Sequence, residues 1–252
     1  MNKDCINFVS LGPGNPDMIT LKSLKILQES DVIFCPGTSV KRKCDNGLLT
    51  DIKPCTDSTY ISRAKDLLTS IGIQEERISV FIVPMEKERE QTMRIYRETA
   101  EKAIEEFDRG KKVSVTVEGD AGIYASIHYM MDYLSTKGIP VKQFCGIPSF
   151  IAATEPAMLH LISQEERMVV IPGNASEKEL EDYIAANHVP VIMKLSRCKD
   201  TILKLIDSHP EYKYYYFENI ANTDGKDFFT TEIDIIKKRQ FPYFSLMIIR
   251  KE

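Results

Sequence analysis

Several absences bound what this chain can be. It has no apolar run of about 18 residues, so we expect no transmembrane helix. Its first residues do not have the pattern of a secretory signal peptide. Lysine and arginine number 33 against 37 acidic residues, a net charge of −4, so the basic excess typical of nucleic-acid-binding proteins is also missing. We therefore expect a cytoplasmic protein that binds neither membranes nor nucleic acids.

Cysteine and histidine give little sign of a metal or redox site. None of the six cysteines stands in a Cys-x-x-Cys pair, which favours reduced thiols. A zinc site built from Cys35, Cys44 and Cys55 is an alternative that their spacing disfavours. The four histidines are scattered, and only His128 lies near suspected chemistry, where a packing or surface role is favoured. We predict no metal site, and the sequence identifies no catalytic residue.

A glycine turn near the N-terminus is the first positive feature. Residues 6–11 read as a buried strand, Gly12-Pro13-Gly14 as a turn, and a helix capped by Thr20 follows. Glycine has no Cβ, so a ligand can approach the backbone closely. Asp17 stands where the dinucleotide-binding motif needs a third glycine, and no Gly-Lys-Ser/Thr follows for a phosphate loop. A tight turn without a ligand remains an alternative reading.

Strands and helices alternate along the chain, which predicts an α/β fold. A second glycine turn, at 118–124, follows the apolar strand Val113–Val117. The two turns predict two α/β lobes, residues 1–117 and 118–252, with one site between them. The Ala-rich stretch 150–161 predicts one helix, and residues 40–57, which lack a clear period, predict a surface loop.

Five ordered segments resemble the tetrapyrrole methylases, which are S-adenosylmethionine-dependent enzymes of sirohaem and cobalamin synthesis. The segments cover residues 11–22, 30–33, 118–120, 146–153 and 191–194. The resemblance implies a cofactor and substrate cleft between two α/β lobes, with the N-terminal lobe on the substrate side and the C-terminal lobe on the cofactor side. It also implies a homodimer.

Within that family, residues 146–150 and 242–250 resemble the subgroup that methylates C20 of precorrin-2 or cobalt-factor II. Another branch, acting at a different corrinoid position or on a different substrate, remains the nearest alternative. A nicotinamide-dependent oxidoreductase fits neither Asp17 nor Cys35-Pro36. A binding protein without catalysis is a third alternative, for which Ala121, in place of the family's usual proline, is the one hint.

The resemblance also implies site residues. The proposed S-adenosyl-L-methionine wall consists of Pro13, Glu118, Gly119, Asp120, Ile123, Ser149, Met193 and Ile220. The substrate carries many carboxylates, so basic side chains are expected near it. The candidates for substrate binding are Lys41, Arg42, Lys43, Tyr124, Lys194 and Arg197. No catalytic base carries over, because Pro36 stands where relatives that methylate uroporphyrinogen have an aspartate.

Overall fold

The computed structural model describes residues 5–39, 60–83 and 89–251, and it divides into two compact units, 1–147 and 148–252. Sequence analysis placed the boundary earlier, at 117/118. The structure differs because the strand Val141–Phe144 pairs with Ile6–Ser10 and so belongs to the first sheet. That pairing joins segments more than 130 residues apart, which local sequence patterns do not reveal.

The first unit is a largely parallel sheet with helices. Its elements are β1 (Ile6–Ser10), α1 (Leu21–Glu29), β2 (Val32–Ser39), β3 (Tyr60–Ile61), α2 (Arg63–Ser70), β4 (Ile78–Ile82), α3 (Arg89–Asp108), β5 (Val113–Val117), α4 (His128–Thr136) and β6 (Val141–Phe144). In the described residues the strand order is β3-β2-β5-β1-β6, and β4 also pairs with β2. Only β3 runs antiparallel to its neighbour. The carboxyl ends of β1, β5 and β6 therefore lie side by side.

Local chemistry explains where these helices begin and end. The Thr20 hydroxyl accepts a hydrogen bond from the Ser23 amide and caps α1, as the sequence predicts. Gly110 and Gly138 follow α3 and α4 with φ of +78° and +71°, a conformation that glycine adopts without a Cβ clash. Between the helices and the sheet lie two apolar clusters, one of which includes Met130 and Leu134 of α4.

The second unit is built on a mixed sheet. Its elements are α5 (Ser149–Ala152), α6 (Thr154–Ala157), β7 (Arg167–Ile171), α7 (Glu177–Ala185), β8 (His188–Met193), α8 (Lys199–Ser208), β9 (Lys213–Glu218), β10 (Phe228–Thr230), α9 (Ile233–Lys238) and β11 (Ser245–Arg250). In the described residues the order is β10-β9-β11-β8-β7. β11 runs antiparallel to β8 and β9, so β7, β8 and β9 point the same way.

The single helix predicted for 150–161 is wrong. The structure has two short helices, α5 and α6, and Met158 ends the second with a left-handed φ of +43°. Pro156 explains the break, because proline lacks an amide hydrogen and its ring collides with the carbonyl one turn earlier. The prediction followed the alanine-rich composition and passed over this proline.

Some sequence predictions fall outside the described residues. Lys41, Arg42 and Lys43 lie there, as do the predicted loop 40–57 and two of the three cysteines considered for zinc, Cys44 and Cys55. Within the described ranges, every helix is too short or too polar to span a bilayer.

Candidate functional site

The carboxyl edge of the first sheet is formed by paired glycines. Gly12 follows β1 and Gly119 follows β5, and the two exchange both backbone hydrogen bonds, with N···O distances of 3.0 and 2.7 Å. Gly119 has φ of +75°, and a Cβ built on it would meet no heavy atom within 4 Å. The two glycine turns noted in the sequence are therefore hydrogen-bonded to each other, and there is open space beside Gly119.

Gly146, which follows β6, packs against Gly119 and Gly12. A Cβ here would lie 2.8 Å from the Gly119 carbonyl oxygen and 2.6 Å from the Ser10 Cβ. Real side chains essentially never make such contacts, so this close approach requires glycine. The turn after β6 is thereby packed against the turns after β1 and β5.

The Asp120 carboxylate holds two of these turns together. Its Oδ2 accepts a hydrogen bond from the Gly146 amide at 2.6 Å, and its Oδ1 accepts one from the Gly122 amide at 2.8 Å. Sequence analysis expects Asp120 in the cofactor wall. The geometry supports a role in ordering the loop, because both carboxylate oxygens already accept backbone hydrogen bonds.

Ser10 and His128 are part of this edge although sequence analysis did not select them as site residues. The fully buried Ser10 hydroxyl donates to the Phe144 carbonyl at 2.7 Å and accepts from the Ala121 amide at 2.9 Å. The His128 Nε2 lies 2.7 Å from the Ala121 carbonyl oxygen. A hydroxyl at the end of a buried, mostly apolar strand, just before the glycine turn, was the available signal for Ser10.

Glu118 is the first residue of the loop formed by residues 118–124, hereafter the 118–124 loop. Its Oε2 lies 4.0 Å from Nε of Arg63, at the start of α2. Although 31% of the Glu118 side chain is exposed, burial of the carboxyl raises its pKa, and the positive charge of Arg63 opposes that rise. Perturbed carboxyls of this kind are common at functional sites.

The other predicted residues of the first unit also lie at this edge. Pro13 and Ile123 are half-buried next to Gly12 and Asp120, respectively. Tyr124 is 41% exposed and has a left-handed φ of +49°. A bulky residue rarely adopts this conformation unless its surroundings impose it. The 118–124 loop therefore presents an aromatic side chain to solvent.

In the second unit, Met193 is the last residue of β8 and Lys194 follows it. Lys194 has a left-handed φ of +56°, and a Cβ added to Gly173 would lie 2.4 Å from the Lys194 carbonyl oxygen. The turn after β7 thus packs directly against the turn after β8. Burial lowers the pKa of the Lys194 ammonium, and the neighbouring charge of Arg197 lowers it further.

The turn after β9, like Lys194, contains residues with a left-handed φ. Asn219 and Ala221, on either side of the buried Ile220, have φ of +48° and +57°. The Asn219 amide donates to the Phe244 carbonyl at 2.8 Å, and its side chain donates to the Lys226 carbonyl at 3.2 Å. Left-handed alanine costs about 1–2 kcal/mol, and such strain concentrates at functional sites.

The residue before this turn, Glu218, is buried and forms an ion pair with the partly exposed Arg239. Arg239 donates to both oxygens of Glu218, the last residue of β9, and the Tyr216 hydroxyl donates to Glu218 Oε1 at 2.5 Å. Burial alone would raise the pKa of Glu218, but these hydrogen bonds outweigh it and hold the pKa below its usual value. The pair fixes the end of the strand from which the Asn219 turn departs.

The structure thus groups the predicted residues by unit. Pro13, Glu118, Gly119, Asp120, Ile123 and Tyr124 share the edge of the first sheet. Met193, Lys194 and Ile220 lie at the carboxyl ends of β8 and β9 in the second. Ser149 begins α5, and Arg197 is exposed beyond β8.

Comparisons with known proteins agree with this architecture. The sequence profile named Tetrapyrrole (Corrin/Porphyrin) Methylases matches residues 6–234. A probable cobalt-precorrin-2 C(20)-methyltransferase of Methanocaldococcus jannaschii is 26% identical, over 96% of this chain and 94% of its own length. The cobalt-precorrin-2 C(20)-methyltransferase of Salmonella typhimurium is 23% identical, over 97% and 95%, respectively.

Solved structures show the same fold. A cobalt precorrin-4 methyltransferase superposes with a TM-score of 0.68 at 17% identity, covering 98% of this chain and 95% of its own. A uroporphyrin-III C-methyltransferase of Thermus thermophilus, complexed with S-adenosylhomocysteine, has a TM-score of 0.62 at 16% identity, covering 98% and 97%.

Proposed function

Because the chain belongs to the tetrapyrrole (corrin/porphyrin) methylase family, we propose that it is an S-adenosylmethionine-dependent C-methyltransferase of cobalamin biosynthesis. Its proposed reaction adds one methyl group to C20 of precorrin-2 or cobalt-factor II. The observation that carries this assignment is the length of its similarity to C20-methyltransferases, which extends over 96–97% of this chain in relatives from three organisms.

The proposed cofactor-binding residues remain those of the sequence analysis: Pro13, Glu118, Gly119, Asp120, Ile123, Ser149, Met193 and Ile220. The open space beside Gly119 fits the close approach of a small molecule to the backbone. The Met193 side chain offers a polarizable surface suited to an adenine ring. Strained turns at Lys194 and Ala221 support a ligand-binding role for the carboxyl ends of β8 and β9 in the second sheet.

The chemistry divides between ligand and protein. S-adenosylmethionine, when bound, supplies a sulfonium-bound methyl group to a nucleophilic carbon of the tetrapyrrole. The protein's proposed contribution is to hold the two reactants in line, which can account for a large part of the rate enhancement. Asp120 keeps the 118–124 loop in one conformation, so its backbone groups are oriented before the reactants bind.

We propose that basic and aromatic side chains bind the substrate and its many carboxylates. Lys194 and Arg197 follow β8, and Tyr124 is exposed on the 118–124 loop. Lys41, Arg42 and Lys43 complete the proposal, although they lie outside the described residues. Arginine and lysine bind carboxylates through charge-assisted hydrogen bonds, which supports this assignment.

Methylation at a different corrinoid carbon is the second candidate. A cobalt-precorrin-4 C(11)-methyltransferase of Methanocaldococcus jannaschii is 30% identical, a higher value than for the C20 relatives. That similarity covers 68% of this chain and 52% of the relative. The shorter match makes this the weaker candidate.

A turnover assay tests the proposal. The protein is incubated with S-adenosylmethionine and either precorrin-2 or its cobalt-containing counterpart, and the product is read by mass and by NMR. One added methyl at C20 supports the assignment, and the faster substrate identifies the branch of the pathway. Cofactor binding with no methyl on either macrocycle, or a methyl at another carbon, refutes it. Reactions without S-adenosylmethionine serve as the control.

Two further properties are proposed, the first from the family resemblance and the second from the expectations of the sequence analysis. We propose that the protein works as a homodimer in the cytoplasm. Sedimentation equilibrium of the purified protein tests the first property, since a single species of about 28.8 kDa would contradict it. Cell fractionation tests the second.

A further inference from the structure

The peptide of Ala121 is held from both of its sides. Its amide donates to the Ser10 hydroxyl at 2.9 Å, and its carbonyl oxygen lies 2.7 Å from Nε2 of His128. Ala121 and Ser10 are both fully buried. A carbonyl oxygen only accepts hydrogen bonds, so Nε2 carries the hydrogen in the contact with His128.

Each partner belongs to a different part of the first unit. Ser10 is the last residue of β1, and its hydroxyl also donates to the Phe144 carbonyl at the end of β6. His128 is the first residue of α4, a helix whose N-cap makes no side-chain hydrogen bond. The 118–124 loop is therefore tied through the backbone N–H and carbonyl of one residue, Ala121, to two strands and one helix.

Residue 121 is also where this chain departs from the family's usual proline. Proline restricts φ through its ring and has no amide hydrogen to donate. Alanine has no such restriction, but it has an amide, and here that amide is used. The two hydrogen bonds of Ala121 restrict the loop where the proline ring would otherwise do so.

We propose that His128 and Ser10 are positioning residues of the cofactor site, which set the conformation of the 118–124 loop through the Ala121 peptide. The inference rests on the proposed function, because it takes S-adenosylmethionine as the ligand of this loop. Neither residue acts on the reacting atoms. Their loss weakens cofactor binding and raises KM for S-adenosylmethionine, while kcat at saturation changes little.

Two substitutions of His128 test this role. Glutamine places an amide N–H near the position of Nε2, whereas asparagine is too short to reach it. We expect the Kd of S-adenosylhomocysteine, measured by calorimetry, to rise about tenfold in His128→Asn and to stay within about threefold in His128→Gln. Wild-type affinity in His128→Asn would overturn the proposal, as would an equal loss in both variants.

A double-mutant cycle tests Ser10 from the other side of the peptide. Ser10→Ala removes the acceptor of the Ala121 amide, and we expect it to raise the same Kd about tenfold. Proline at 121 has no amide to satisfy, so Ser10→Ala in an Ala121→Pro background should cost no more than about threefold. Equal losses in both backgrounds would overturn the role of Ser10, and this cycle remains informative if His128→Asn does not fold.

The measurements distinguish a failure of the proposed function from a failure of the positioning role. If the wild-type protein does not bind S-adenosylmethionine or S-adenosylhomocysteine, the proposed function fails, and this inference fails with it. If the wild-type protein binds and the variants bind equally well, only the positioning role fails. The methylated carbon does not enter either measurement.

Discussion

The open space beside Gly119 leads to a prediction that separates fold from function. Gly119 and Gly138 have nearly the same φ, +75° and +71°, and a Cβ added to either meets no heavy atom within 4 Å. Alanine in this conformation costs about 1–2 kcal/mol. At about 2–4 °C per kcal/mol, Gly119→Ala and Gly138→Ala should each lower the unfolding temperature by roughly 2–8 °C.

Cofactor binding should distinguish the two variants. Gly138 ends helix α4, whereas Gly119 lies in the proposed cofactor wall. If S-adenosylhomocysteine approaches the Gly119 backbone, the new methyl group overlaps it, with an overpacking cost of about 1–3 kcal/mol. Its Kd should then rise by about 5- to 150-fold in Gly119→Ala and by less than about twofold in Gly138→Ala.

The assay is isothermal titration calorimetry alongside thermal unfolding of the same samples. Gly138→Ala is the matched control, because it carries the same backbone cost in the same unit. Equal affinities in the two variants would refute the reasoning, since the space beside Gly119 would then hold no part of the cofactor. A lower unfolding temperature in Gly119→Ala alone would instead show that the site is packed in the free protein.

Three other residues give testable expectations. Asp120→Asn leaves one backbone amide without its acceptor, so we expect the free energy of unfolding to fall by about 1–3 kcal/mol in denaturant titrations. The folded-state pKa of Glu218 is depressed, so its stabilisation is full above its ordinary pKa of 4.5 and is lost as pH falls through the lower value. Glu218→Gln should therefore flatten the acid limb of the unfolding-temperature profile. Burial raises the pKa of the Cys35 thiol to about 11, so iodoacetamide at pH 8 should label the exposed Cys145 first.

Each of these expectations has a contradicting outcome. Unchanged stability in Asp120→Asn, judged against the exposed Asp108→Asn, would show that the amide left without its acceptor finds another one. An acid limb of unchanged steepness in Glu218→Gln would mean that other carboxylates dominate acid unfolding. Rapid labelling of Cys35 in the folded protein, read by peptide mass spectrometry, would mean that the sheet around it opens readily.

Strong local patterns predicted most of the secondary structure. The strand Val113–Val117 has the predicted bounds, because a run of valines alternating with small hydroxyl residues lies between the charged Lys112 and Glu118. The helix that Thr20 caps is also confirmed, from Leu21 to Glu29. Short elements such as β10 and α9 were missed, because three to six residues carry no clear period.

The candidate site was only partly predictable, for a topological reason. The glycine turns and Asp120 stood out as motifs, but the bond from Gly146 to Asp120 joins residues 26 positions apart. It exists because β6 pairs beside β1, and no local pattern gives that pairing. Ser10 was hidden for the same reason, since its partners at Phe144 and Ala121 lie 134 and 111 residues away.

The place of β11 has a consequence for how the chain is made. This strand is the last element of the sequence, yet it lies in the middle of the second sheet, between β9 and β8. During synthesis, β7 to β10 emerge before the strand that joins them, so the facing edges of β8 and β9 stay unpaired until residue 250 has left the ribosome. In the first unit the joining strand is β5, which pairs with β1 and β2 and ends at Val117, and the later β6 only adds to the sheet edge. We therefore expect nascent chains to fold in two steps, the first unit before the second. Chaperones should matter most in the interval between these steps.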